Sequence, residues 1–298
     1  MHEMTYNKMH DKMYDRIYKS GAGLAFEINN AVPQDNELLM WFLGQMGFAV
    51  KTGGLTLFFD PLLNDFTDEL GCSRLYPPLL LPGKELHADY FIASHDHADH
   101  LNLETILPHA KANPHTRFVV PYPAVQTLTD SGVEPCRVIG AKAGCKIALN
   151  ESVTLTPIAA CHTSYKKDIS GCHHYLGSVI NNSEICFYHA GDTIVTEELI
   201  ADLQKMQHVN IAVLPINGTD WQRSAQGLAG NMSVEDAVKF ACAINADLTI
   251  PAHYDLMPDN SCNPALFAEA MYRICPNKKF HIFSPGECFV YRKPVIIT

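Results

Sequence analysis

Ten cysteines are present, yet no two stand at C-x-x-C spacing, which removes the paired-thiolate motifs of zinc ribbons and thiol oxidoreductases. Several, such as Cys186 and Cys242, lie in apolar runs and read as small core residues. There is no G-x-S-x-G elbow for a serine nucleophile and no glycine-rich phosphate loop. The first twenty residues carry charges throughout and lack the apolar stretch of a secretory leader. The longest nearly apolar run, Leu38–Val50, is broken by Gln45 and is too short to span a bilayer. Positive charge is scarce: 22 Lys and Arg stand against 32 Asp and Glu, a net charge of -10 with no basic stripe. Nucleic acid and anionic membrane surfaces both call for basic surface, so neither is expected as a partner. A cytoplasmic, reducing setting fits these absences.

The composition that remains is globular, with 47% hydrophobic and 18% charged residues over 298 positions. The length suits one domain over 1–298, with residues 1–37 as an N-terminal helical extension. Tyr6, Met9, Met13 and Ile17 fall at near-helical spacing and predict a short amphipathic helix in residues 1–20, a surface for a subunit contact and hence a homo-oligomer. Gly21–Asn36 reads as a loop. Three apolar runs, Leu39–Leu43, Phe48–Thr52 and Leu55–Asp60, are separated by Gly44 and Gly53-Gly54 and read as hairpin strands. A long irregular loop, Leu62–His87, follows. Strands and helices then alternate to a polar loop, Asn217–Asn231. Ser233 is the expected N-cap of the next helix, and a hairpin is expected around Pro285-Gly286. No repeat is evident. Hairpin strands followed by strand–helix alternation and further strands suit two mixed sheets packed face to face with helices outside.

The chemistry concentrates in Ser94-His95-Asp96-His97-Ala98-Asp99-His100. The apolar run Asp89–Ala93 leads into it as a buried strand and a helix follows, so the side chains occupy a strand-to-helix loop. In an extended strand end His95 and His97 point to one side, and the turn can return Asp99 and His100 towards the same point. Clustered imidazoles and a carboxylate make a poor core and a good site for a borderline metal. Three further residues each follow an apolar strand: His162, Asp192 and His253. Seven groups suffice for two ions, and without cysteine ligands manganese, zinc and iron are all compatible.

The H-x-H-x-D-H pattern with those later residues resembles the metallo-β-lactamase superfamily over about Leu38–Arg292. Met40-Trp41-Phe42-Leu43-Gly44, Ala190-Gly191-Asp192-Thr193, Asn231-Met232-Ser233 and Ile250-Pro251-Ala252-His253-Tyr254-Asp255 are similar, more narrowly, to its UlaG-like (L-ascorbate-6-phosphate lactonase-like) group. The resemblance implies an α/β (α+β) fold, the αββα sandwich. It implies one or two divalent ions per chain, tilting to manganese. His95, His97 and His162 would hold one, Asp99, His100 and His253 the other, and Asp192 would bridge. It further implies a support role for Asp60. His97 stands where diiron oxidative relatives carry a carboxylate. The expected activity is hydrolysis by a metal-activated hydroxide that opens a lactone or ester, with L-ascorbate 6-phosphate as one substrate, and Asp99 or Asp192 moving the proton. A phosphodiesterase or nuclease of the same superfamily and a non-catalytic metal-binding scaffold are the alternatives. For a small anionic substrate such as a phosphorylated sugar lactone, Arg223 or the Lys166/Lys167 pair would take the phosphate. Tyr165, Trp221 and Tyr254 are expected as pocket walls, His174 as facing the site, and His189 as supporting it from behind.

Overall fold

The computed structural model describes residues 16–68, 71–206, 208–225 and 230–293. The helix expected from Tyr6, Met9 and Met13 lies outside these residues. The strands are β1 (Glu37–Gly44), β2 (Gly47–Thr52), β3 (Leu55–Phe59), β4 (Tyr90–Ile92), β5 (Arg117–Pro121), β6 (Val138–Ala141), β7 (Ile147–Ala148), β8 (Thr154–Ala159), β9 (Leu176–Asn181), β10 (Cys186–His189), β11 (Ile211–Pro215), β12 (Leu248–Ala252), β13 (Lys279–Phe280) and β14 (Cys288–Arg292). The helices are α1 (Gly21–Asn30), α2 (Leu103–Ala112), α3 (Val125–Asp130), α4 (Glu197–Gln204), α5 (Trp221–Ala225), α6 (Val234–Ala243) and α7 (Pro264–Ile274).

Two seven-stranded sheets form, in the orders β14-β1-β2-β3-β4-β5-β6 and β13-β12-β11-β10-β9-β8-β7. Strand periodicity of two assigns side chains to layers. In β1, Leu38, Met40 and Phe42 join the core between the sheets. Leu39, Trp41 and Leu43 point the other way, into a second core with Ile106 of α2 and Leu128 of α3. Leu199 of α4, Phe240 of α6 and Phe267 of α7 pack with the second sheet. This is the αββα sandwich. Gly53 and Gly54 both have positive φ (53° and 77°), the backbone of a two-residue hairpin turn between β2 and β3. Ser233 caps α6, its side chain accepting from Asp236 N–H.

Three expectations change. Gly21–Asn30 is helix rather than loop: Leu24, Ala25 and Ile28 bury one face, and Glu27 accepts a hydrogen bond from Trp41 Nε1 at 3.0 Å. Tertiary packing outweighs the poor propensity of Gly21 and Gly23. The strands flanking Pro285-Gly286 do not pair with each other. β13 runs parallel to β12 in the second sheet, and β14 runs antiparallel to β1 in the first, so this turn carries the chain across the sandwich. Cys242 is not a solitary core thiol: it pairs sulfur to sulfur with Cys275, joining the ends of α6 and α7 at a Cα separation of 6.7 Å. Among the described residues, no helix is long and apolar enough to cross a membrane.

Candidate metal centre

The parallel pairs β3/β4 and β10/β11/β12 bring their carboxyl ends to one edge of the sandwich. Asp60 follows β3 directly, with φ +40. Its carboxylate accepts the Ser94 backbone N–H and the Ser94 hydroxyl, both at 2.7 Å. It also accepts from His100 Nδ1 at 2.8 Å. Ser94 Oγ in turn lies 3.0 Å from His95 Nδ1. Fixing Nδ1 of both imidazoles as donors leaves each Nε2 with its lone pair available. The loop closes on α2, where the Asn102 side chain accepts from Thr105 N–H.

The second sheet contributes from the facing side. His162 follows β8, and the segment is tied to Asp192's loop by Cys161 N–H donating to Thr193 Oγ1 at 3.0 Å. Gly191 has φ +59, and a Cβ there would stand 2.6 Å from Ser94 Cβ. Only glycine allows the two loops this approach. Asp192 Oδ2 then lies 3.4 Å from His253 Nε2, 3.5 Å from His100 Nε2 and 3.8 Å from His162 Nε2.

Three overlapping groups result: His95, His97 and His162; His95, His100 and Asp192; and Asp99, His100 and His253. Within each, the donor atoms lie within 4.8 Å of one another. The seven residues named from the sequence therefore come together. Nε2 of His95, Nε2 of His100 and Oδ1 of Asp192 are buried without a hydrogen-bond partner, which is costly unless a cation takes the lone pairs. Imidazole and carboxylate donors suit manganese, zinc or iron alike.

Electrostatics separate the histidines. Burial, reinforced by neighbouring His100, holds His95 well below the ordinary imidazole range. His162 is lowered by burial. For His100 and His253 burial acts in the same direction, but carboxylates prevail. Asp99, Asp192 and Asp60 raise His100, and Asp192 and Asp99 raise His253. Against their own burial, Asp99 and Asp192 are held below the usual carboxylate range by His100 and His253.

The cavity beside this cluster measures about 240 Å³. Its lining includes Phe66, Met257 and Tyr175 together with Gln45, Thr163 and Asn260. The expected substrate residues stand elsewhere. Arg223 is paired with Asp220 at 2.6 Å and donates to Asn260 at 3.1 Å, so it stands behind Asn260. Lys166 and Lys167 are exposed. Trp221 is 82% exposed. The Tyr165 hydroxyl bonds Thr196 Oγ1 at 2.6 Å. The Tyr254 hydroxyl donates to the Phe283 carbonyl, and its ring lines a separate cavity with Pro264 and Phe283. His174 bonds Lys166 through its backbone and is absent from the lining. His189 donates from Nε2 to the Met46 carbonyl at 2.8 Å and stacks on Phe59. It ties the two sheets together and makes no hydrogen bond to a ligand residue.

Tyr175 was not singled out from the sequence. Its ring centroid is 5.3 Å from those of His95 and His162 and 5.9 Å from that of His97. A repeat also went unseen. Asp68 and Cys72, and Asp168 and Cys172, belong to two D-x-x-G-C segments. In each, the aspartate Oδ1 accepts the cysteine N–H at 2.8 Å, and a bridge flanks the turn, Thr67↔Ser73 or Lys167↔His173. Phe66 and Asp68 border the cavity from the first, Thr163 and Tyr175 from beside the second. A pattern of three fixed residues in five is too sparse to stand out before its geometry is seen.

Comparison with known proteins follows the same line. "UPF0173 metal-dependent hydrolase" of Caldivirga maquilingensis is 27% identical, covering 84% of this chain and 96% of that protein. Its counterpart from Thermofilum pendens is 28% identical over 84% and 97%. Among solved structures, the metallo hydrolase Igni18 from Ignicoccus hospitalis aligns with a TM-score of 0.67 at 20% identity, covering 87% of this chain and all of that one. An isothiocyanate hydrolase from Delia radicum gut bacteria aligns at 0.68 and 16% identity, over 86% and 100%. These likenesses in structure speak for the fold. The family profile described as the beta-lactamase superfamily domain matches residues 46–254, a span that runs from the turn after β1 through the histidine loop to His253, and the chain belongs to that superfamily.

Proposed function

We propose that the protein is a metal-dependent hydrolase that opens a small ester or lactone. In this reading His95, His97 and His162 hold one divalent ion, Asp99, His100 and His253 a second, and Asp192 stands between them. The observation that carries it is the convergence of seven imidazole and carboxylate groups from both sheets on one volume, with lone pairs left without partners. Bound ions would polarise the substrate carbonyl and make water a nucleophile at neutral pH.

The chain's own groups do the rest. Asp99 and Asp192 both line the cavity, but Asp99 has 21% of its side chain exposed, against 6% for Asp192; Asp99, the more open of the two, moves the proton from water to the leaving oxygen. Phe66, Met257 and Tyr175 give the substrate an apolar wall, and Thr163 and Asn260 give it hydrogen bonds. That lining favours a neutral ester or lactone. A phosphorylated sugar lactone would have to draw Arg223 from Asp220 and Asn260.

Metal-stripped protein reloaded with manganese or zinc tests the reading against a neutral lactone, L-ascorbate 6-phosphate and bis-p-nitrophenyl phosphate. Metal-dependent turnover of the lactone, faster than of the phosphorylated one, is expected. Cleavage of the phosphodiester alone, or of none of the three, would overturn it.

A further inference from the structure

Gln45 interrupts the longest apolar run of the sequence, and the fold puts it at the candidate metal centre. It sits in the turn between β1 and β2, fully buried, with φ +57. That left-handed backbone is unfavourable for a residue with an ordinary side chain. The turn is clamped to the loop that carries His253. Gln45 N–H donates to Asp255 Oδ1 at 3.2 Å, and the Gln45 carbonyl accepts His253 N–H at 2.8 Å. Asp255 is held in turn by the Tyr76 hydroxyl at 2.6 Å.

The side chain follows from this anchoring. Its amide nitrogen Nε2 donates to Asp99 Oδ2 at 3.1 Å and lies 3.2 Å from His253 Nε2, two of the three ligand-type atoms of the Asp99, His100 and His253 group. The other amide atom, Oε1, is buried without a hydrogen-bond partner. A glutamine kept only for packing would satisfy both ends of its amide. A half-turn about the terminal bond exchanges Nε2 for Oε1 and presents a neutral oxygen at the same point.

We infer that Gln45 is a further metal-directed donor, acting on the ion position of Asp99, His100 and His253 and not on that of His95, His97 and His162. The inference rests on the proposed two-ion reading. It makes the positions chemically unequal. Apart from Asp192 between them, one is all imidazole, and the other combines imidazole with a carboxylate and an amide oxygen, a donor set that suits the harder manganese ion better. It also gives a reason for a strained glutamine in a turn where glycine or asparagine costs less.

Calorimetric titration of metal-stripped protein with Mn²⁺ tests this without an activity assay. Wild type is expected to take two ions per chain. Gln45→Met, of similar length but without the amide, is expected to weaken the second ion roughly 10-fold or more and leave the first unchanged. Gln45→Glu is expected to tighten the second ion, which keeps the test open if the methionine variant fails to fold. Two ions bound by Gln45→Met with wild-type affinity, or no change in Gln45→Glu, would overturn the role of Gln45 while the two-ion reading stands. A wild type that takes up no second ion would overturn both.

Discussion

Among single residues, His109 shows how burial sets a pH response away from the site. It is fully buried on α2, its ring 4.4 Å from that of Phe91 and its Nε2 3.1 Å from Thr116 Oγ1. Burial, reinforced by Arg137, pushes its pKa down to about 4. The unfolded chain protonates this imidazole first as pH falls from 6.5, so the unfolded state binds more protons between that value and about 4. Stability is therefore complete above the upper value and is lost on acidification, by roughly 2–4 kcal/mol from this group. Urea unfolding of metal-stripped protein at pH 7.5 and 4.5 checks it. His109→Gln, which keeps a hydrogen-bonding group near Thr116, should narrow the difference between the two pH values by about that amount, and an unchanged difference would remove His109 as its source. Legibility at this scale depended on chemistry type. Seven ligand-type residues could be named because metal-binding residues are distinctive as letters. Gln45 and Tyr175 could not, since an amide in an apolar run and a tyrosine before a strand acquire meaning only from what faces them.

Between elements, the end of β3 controls the loop after β4. Three donors converge on one carboxylate: Ser94 N–H, Ser94 Oγ–H and His100 Nδ1–H all meet Asp60. Asp60→Asn keeps the shape but removes the charge and one acceptor, so one donor must go unpaired. Metal affinity is expected to fall about 10- to 100-fold, measured by competition with a chromogenic chelator. An unchanged affinity would show that the loop holds its shape without Asp60. The strands that frame this contact were readable because their periodicity is local: Leu57 and Phe59 point to the core between the sheets and Phe58 points to the helices. α1 was not readable, because Gly21 and Gly23 argue against helix and the burial of Leu24 and Ile28 is a tertiary fact. The same holds for the turn at Pro285-Gly286, whose flanking strands have suitable sequences but join different sheets.

Across the whole molecule, the donors come from both sheets: His95, His97, Asp99 and His100 follow β4 of the first, while His162, Asp192 and His253 follow β8, β10 and β12 of the second. The layered architecture was legible in the order of the segments, since hairpins, then strand–helix alternation, then further strands leave few other arrangements. Which strand ends meet was not, because it depends on register and on close approaches such as Gly191 against Ser94. Ions held in this way would join the sheets at one edge, and their binding free energy would count as stability of the fold. Free metal at 100 times its dissociation constant adds about 2.7 kcal/mol, or roughly 4 °C in the unfolding midpoint of a chain of this size. Thermal unfolding before and after a strong chelator, followed by addition of manganese or zinc, should show a fall of that order and its recovery, with the midpoint rising as the logarithm of metal concentration. His253→Ala should lose part of the recovery, because it removes a second-sheet donor and leaves the His95, His97 and His162 group intact. A midpoint indifferent to chelator and metal would mean that the sandwich is held at that edge by its protein contacts alone.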